Sequence, residues 1–384
     1  MSTALASPSA LDSSRRPVAT LDSPAVVHQM DNHDRAYSLW REAGLRDRIL
    51  IHVDAHHDMW WTENPNSLSI ANFICPALKD GIVREMYWVV PDGTWNSSAG
   101  RAALRRHLQA IQARYPGDPP AIQWDERRIR TTVLGRPLAI CSMDSLPLLS
   151  ERVLLDIDVD YLIIPRVSYG EWDTHSPLPW RWPSELVALL HARNVKADFV
   201  TIASSVEGGH TPLQWKYLGG ELAMRLRLPD GDARLKPYER MREGAVAQRG
   251  RDEIRAENAF RDVGDTLGAA AGFSLAHLLA DQGRAEEGRH CYDRALALDP
   301  SYRGAYSTQG VPLYFARSYA AAERAFSRTL LLDPADPSAH LGLGWMAARR
   351  KRWARPCGPR GRPFRSSACW PANPRCSVQG GATR

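Results

Sequence analysis

Two short acidic runs carry residue types and spacings that could do chemistry. The segment ILIHVDAHHDMW, residues 49–60, sets Asp54, His56 and Asp58 at alternate positions directly after an apolar run. On an extended strand end such residues would all leave on one side. The segment VLLDIDVDYL, residues 153–162, repeats the pattern with Asp156, Asp158 and Asp160. Five or six carboxylates and imidazoles held together repel and desolvate one another unless cations lie between them. The chemistry this points to is metal binding. Oxygen and nitrogen donors without a thiolate favour manganese, with iron, cobalt or zinc as other occupants. An isolated D-x-D more often caps a helix or closes a turn, so the weight rests on its occurrence together with D-x-H-x-D.

Such residues need a scaffold. Short apolar runs alternate with helical stretches, the pattern of an α/β unit with a mostly parallel sheet covered by helices in three layers. Strands are expected near Val26 to Met30, Ile49 to Val53, Met86 to Val90, Val153 to Ile157 and Phe199 to Ala203. Helices are expected over Asp34 to Ala43, Gly100 to Arg114 and Ser184 to Ala192. In open sheets of this kind ligands bind beyond the carboxyl ends of the strands, which is where both acidic runs fall. The Trp- and Pro-rich loop Trp172 to Trp182 could line a pocket or pack on the surface.

Residues 1–24 read as a disordered Ser/Ala/Pro-rich start, 25–228 as the α/β unit and 229–266 as a charged linker or helix. An internal repeat follows: YDRALALDP at residues 292–300 returns as FSRTLLLDP at 326–334, and the same offset links Gly310 to Gly344 and Tyr319 to Trp353. The period, the aromatic position and the closing Asp-Pro resemble the tetratricopeptide repeat, in which stacked helix pairs bury one another's apolar faces. Residues 267–353 hold two and a half such copies, an all-α region. The pattern stops at Ala354. Residues 354–384 read as a disordered basic tail, or as the product of an altered reading frame.

D-A-H-x-D and D-V-D are also the two metal signatures of the ureohydrolase superfamily of arginase and agmatinase, which this chain resembles over roughly Val26 to Leu226. The family's upstream histidine, at the end of the preceding strand, is matched by His33, and the spacing suits a neighbouring strand. The resemblance implies two manganese ions per chain bridged by Asp54 and Asp158. His33 and Asp58 would complete one site, His56 and Asp160 the other. The family's Gly-Gly-Asp-His-Ser is here MDNHD, and its Asp-Pro after the second motif is replaced by Ile163, Ile164 and Pro165. These departures bring the chain nearer to the divergent peptide-arginase-like family, which converts arginine side chains of ribosomal precursor peptides to ornithine and urea. That family's H-x-D-x-H-x-D, S-I-A-N-F and S-x-E-G-G-x-T-P features match residues 52–58, 69–73 and 205–212.

A guanidinium is planar, permanently charged and a fork of donors, so its site should hold a carboxylate, and Glu207 is the candidate. His57 or His210 could deliver a proton to the leaving amine. His52 and Asp156 could orient metal ligands, Asp156 alternatively serving as one. Rival readings are a single-zinc, deacetylase-like amide hydrolase using Asp, His and Asp, and a tetratricopeptide adaptor with an inactive hydrolase domain. The two functions also combine, with the repeats holding an arginine-bearing peptide or protein substrate.

Charge and cysteines narrow the partners. The net charge of +6 includes ten Lys or Arg, and no Asp or Glu, between Arg349 and Arg384; the remainder, 39 basic against 43 acidic residues, is −4. No nucleic-acid partner is expected for the body. Six cysteines form neither a disulfide framework nor a C-x-x-C site. With no apolar signal-peptide core and no membrane-length apolar stretch, a cytoplasmic protein without membrane partners is expected.

Overall fold

The computed structural model describes residues 26–60, 68–114, 121–170, 173–206, 209–303, 310–315 and 317–353. The expected disordered segments, 1–24 and 354–384, lie outside the described residues. An eight-stranded sheet forms from β1 (Val26–Met30), β2 (Arg48–Val53), β3 (Val83–Val89), β4 (Gln123–Trp124), β5 (Arg128–Val133), β6 (Arg136–Cys141), β7 (Val153–Asp158) and β8 (Ala197–Ala203). Its order is β1-β8-β7-β2-β3-β6-β5-β4, parallel throughout except at β5–β6 and β4–β5.

The central strands are continuous apolar runs because both their faces are covered. Ile49, Ile51 and Val53 of β2 join one core with Val153, Leu155 and Ile157 of β7. Leu50 and Leu154 point into the other. The helices Arg35–Glu42, Ile74–Lys79 and Ser98–Gln112 cover the second face, and Pro183–Ala192 and Tyr217–Arg225 the first. From β2 the chain builds outward through β3 and β6, then returns to lay β7 along the free side of β2. The carboxyl ends of β2 and β7 therefore flank a topological switch point, where a crevice opens in such sheets.

One expectation needs correction. The strand preceding β2 is not its neighbour: β1 forms the sheet edge beside β8, separated from β2 by β8 and β7. The chain beyond β1 folds across the ends of β8 and β7, tied down by Ser204 N–H to Met30 O and Ser205 N–H to Asp31 O. The sequence also concealed β4, β5 and β6. Their Arg-rich alternation is that of an edge hairpin, closed by Leu134 and Gly135 at φ 50° and 75°, a turn that glycine permits.

The charged stretch 229–266 is largely helical. Lys236–Arg249 and Glu253–Asp262 pack with Phe260 against Gly244, where a Cβ would lie 2.6 Å from the ring. The helices Gly268–Asp281, Ala285–Leu298, Gly310–Phe315, Tyr319–Leu332 and Pro337–Trp353 follow. Phe326 lies on Gly310 as Phe260 lies on Gly244, in each case with the aromatic 16 positions after the glycine. The core under the sheet's first face continues through Phe273, Tyr292, Tyr302 and Leu332, so the helices Gly268–Asp281, Ala285–Leu298 and Tyr319–Leu332 share one apolar interior with the sheet. The described chain divides into compact units after Leu343, the second comprising Gly344 to Trp353. No helix among the described residues is long and apolar enough to cross a membrane. The described cysteines Cys75, Cys141 and Cys291 form no disulfide bond.

Candidate metal centre

Beyond β2 and β7 the chain repeats one local device. Asp54 follows the last residue of β2 and accepts the N–H of His56 through Oδ1 at 2.6 Å; Asp158 ends β7 and accepts the N–H of Asp160 through Oδ1 at 2.9 Å. In each case Oδ1 closes a turn; Asp54 Oδ2 is left without a hydrogen-bond partner, whereas Asp158 Oδ2 accepts from Ser205 Oγ. The extended course expected for residues 54–58 is not what brings them together. The strand stops at Val53, and Asp58 reaches the site from a left-handed backbone at φ 49°. Asp160 likewise opens a single helical turn, Asp160–Ile163. Left-handed non-glycine residues cost about 1–3 kcal/mol and persist where surrounding structure enforces them; Ser205, at φ 48°, is the second one here.

The six residues marked by the two motifs and the upstream histidine converge. His33 Nδ1 lies 3.3 Å from Asp54 Oδ2, 3.3 Å from Asp58 Oδ2 and 3.0 Å from Asp158 Oδ2. His56 Nδ1 lies 2.8 Å from Asp160 Oδ2 and 3.5 Å from Asp54 Oδ1. One imidazole with three carboxylates thus adjoins a second imidazole with two, and Asp54 belongs to both groups. The centre is closed at one end and open at the other: the His33 side chain is 1% exposed and that of His56 28%.

A second layer aims these ligands. Asp156 Oδ2 accepts from His33 Nε2 and His52 Nδ1, each at 2.8 Å, and its Oδ1 accepts from Thr201 Oγ1. His52, Asp156 and Thr201 stand opposite one another on β2, β7 and β8, so strand register alone assembles them. The two oxygens of Asp156 accept from three donors, and through them it holds His33 and His52 in place. It holds His33 through Nε2, so that Nδ1 is the nitrogen turned toward three carboxylates. Ser205 donates to Asp158 Oδ2 from the end of β8.

The electrostatics test whether cations fit. His33 Nδ1, His52 Nε2 and Asp54 Oδ2 are buried without a hydrogen-bond partner. Burial opposes charge on His33 and His56, yet carboxylates, chiefly Asp156 for the first and Asp173 for the second, raise both well above 6.5. Burial also pushes up Asp58, helped by Asp54, and Asp160 well up, helped by Asp158 and Asp54. Asp54 is held well below the usual carboxylate range, His52 and His33 outweighing its burial. Protons on the imidazoles thus stand where cation charge would otherwise balance the carboxylates. The oxygen and nitrogen donors, the unpartnered atoms and the crowded acids fit a pair of divalent ions.

The remaining candidates fall differently. His210 lies at the open end, its ring 4.5 Å from that of His56. His57 is buried among Trp60, Trp88 and His107, accepts the N–H of Met59 through Nδ1, and is driven well below 6.5 by burial and by His107. Glu207 lies outside the described residues. Asp173, which no motif marked, accepts from His56 Nε2 at 3.0 Å. It sits in an irregular Trp- and Pro-rich loop, where the sequence carries no period to reveal it.

No protein-family model matches the chain, and a search of curated proteins finds no significant match. Among solved structures the chain is similar to a hypothetical agmatinase from Burkholderia thailandensis, with 17% identity and a TM-score of 0.29 over 52% of this chain and 57% of that one. It is similar also to an arginase from Medicago truncatula, with 15% identity and a TM-score of 0.29 over 52% and 58%. The chain spans a little over half the length of either, and likeness at this level carries no conclusion about activity.

Proposed function

We propose that the chain is a binuclear, manganese-dependent hydrolase of guanidino groups that converts arginine side chains of a peptide to ornithine and urea. The observation that carries the metal centre is the convergence of six donors from the ends of β1, β2 and β7 around buried, unpartnered His33 Nδ1 and Asp54 Oδ2. His33 and Asp58 would hold one ion, His56 and Asp160 the other, with Asp54 and Asp158 shared. Bound there, the ions supply the Lewis acidity that makes water a nucleophile at neutral pH.

The chain's own groups supply the rest. Asp156 and Ser205 hold His33 and Asp158 in place. Substrate enters from the His56 side, the exposed end. Glu207 is the carboxylate we assign to pair with the guanidinium. His210, at the mouth beside His56, is the group placed to protonate the leaving amine. His57 is sequestered from that role. The guanidino substrate rests on the motif resemblance. The helical hairpins beyond Gly268 support a peptide over a free amino acid, since stacked helix pairs offer an extended surface for peptides.

The test is urea release by the manganese-loaded chain from arginine, agmatine and arginine-containing peptides. Urea from peptides ahead of the free compounds supports the proposal. Urea from the free compounds alone would make it a small-molecule ureohydrolase. Amide cleavage with one bound zinc would establish the single-metal reading, and no urea from any guanidine would overturn the guanidino assignment.

A further inference from the structure

Asp173 is one of three side chains, with His56 and His210, whose donor atoms lie within 4.8 Å of one another on the open side of the centre. Hydrogen bonds already link these side chains to one another and to the loop. Asp173 Oδ2 already accepts from His56 Nε2 at 3.0 Å and faces His210 Nδ1 at 3.4 Å, while Oδ1 accepts from Ser168 Oγ at 3.0 Å. Both carboxylate oxygens are engaged by the chain itself. The loop bearing Asp173 is in turn tied to the helical turn that begins at Asp160. Ser176 N–H and Oγ–H donate to Ile163 O at 2.9 and 2.8 Å, and Trp180 N–H donates to Leu162 O at 3.0 Å.

We infer that Asp173 is a positioning residue for His56, holding its outer nitrogen so that the inner nitrogen faces Asp160 and Asp54. Asp160 and Asp173 thus grip one imidazole from opposite sides, on a single tethered stretch of chain. The arrangement mirrors Asp156 and His33 at the buried end, with one difference: the Asp156 carboxylate comes from a strand and that of Asp173 from a loop. A carboxylate behind a metal-binding histidine fixes its tautomer and ring orientation, and its loss typically weakens the ion 10- to 100-fold.

The inference rests on the binuclear reading, and one experiment separates the two. Manganese is titrated calorimetrically into the metal-free full-length chain and into Asp173→Asn, Asp173→Ala and His210→Ala. The unaltered chain is expected to bind two ions. Asp173→Ala should weaken one of them by about 10- to 100-fold and leave the other unchanged. Asp173→Asn, which keeps an acceptor for His56 Nε2–H and the side-chain shape, should restore much of the loss; His210→Ala should bind both ions as the unaltered chain does. Two ions with unchanged affinities in Asp173→Ala, or equal weakening of both in Asp173→Asn, overturns the role of Asp173 and leaves the binuclear reading standing. Fewer than two ions on the unaltered chain overturns both.

Discussion

Asp156→Asn tests the second layer of the centre in quantitative terms. The carboxylate is fully buried and accepts from His33, His52 and Thr201. An amide offers one oxygen and turns a donor toward donors, so at least one buried group loses its acceptor, a cost of about 1–3 kcal/mol. The carboxyl's acidity gives a second figure. Burial pushes it up, but His33 and His52 hold it down, from 3.8 to about 2. That depression corresponds to about 2 kcal/mol of stability, present above pH 3.8 and lost as pH falls through the folded value, because the unfolded chain takes up the proton first. The two figures describe the same contacts and are not additive. Thermal unfolding of the metal-free protein at pH 7 should therefore show a loss of about 2–3 kcal/mol. Calorimetric titration should show the ion at His33 weakened about 10- to 100-fold. A variant as stable as the unaltered protein that binds both ions equally well would refute the assignment of Asp156 as the anchor of His33.

Other perturbations probe separate parts of the molecule. Manganese at 100 times its dissociation constant should stabilise the fold by about 2.7 kcal/mol for each site, seen as a rise in Tm that a chelator reverses. Ser205→Ala, which removes the donor to Asp158 Oδ2, should lower manganese affinity in the same titration with little change in helix content by circular dichroism. Among the C-terminal helices, burial and the nearby Arg328 depress His277 from 6.5 to about 3. Between those values the unfolded chain binds a proton that the folded one does not, so acid should cost up to about 1.4 kcal/mol per pH unit below 6.5. The stability difference between the unaltered chain and His277→Asn should grow less favourable across that window. Gly244→Val would place a Cβ 2.6 Å from the Phe260 ring and should destabilise the chain by about 1–3 kcal/mol in thermal unfolding.

Much of the candidate centre was legible because its Asp and His residues sit beside apolar runs. The run before Asp54 and the run before Asp158 both become central strands, and a buried parallel strand announces itself by unbroken hydrophobicity. His33 could be matched to the motif but not to its place, since strand order is set by long-range pairing that a spacing does not encode. The convergence of Asp54, His56 and Asp58 was expected from strand alternation. It arises instead from an aspartate-closed turn and a left-handed Asp58, which local polar contacts impose after the strand has ended. Asp173 escaped because its partner is 117 residues away and its loop has no period. The hairpin of β5 and β6 escaped because Arg128, Arg130 and Arg136 break the apolar run that marks a buried strand, although Gly135 at its turn was the available signal.

The most direct measurement of the central claim is the metal content of the manganese-loaded chain by elemental analysis, alongside Asp54→Ala and Asp158→Ala. Asp54 Oδ2 faces His33 and Asp54 Oδ1 faces His56, so one carboxylate serves both groups. Two ions per chain, with both lost or severely depleted in either variant, is the expected result. A single ion in the unaltered chain, or two ions retained in both variants, would contradict a binuclear centre bridged by these aspartates.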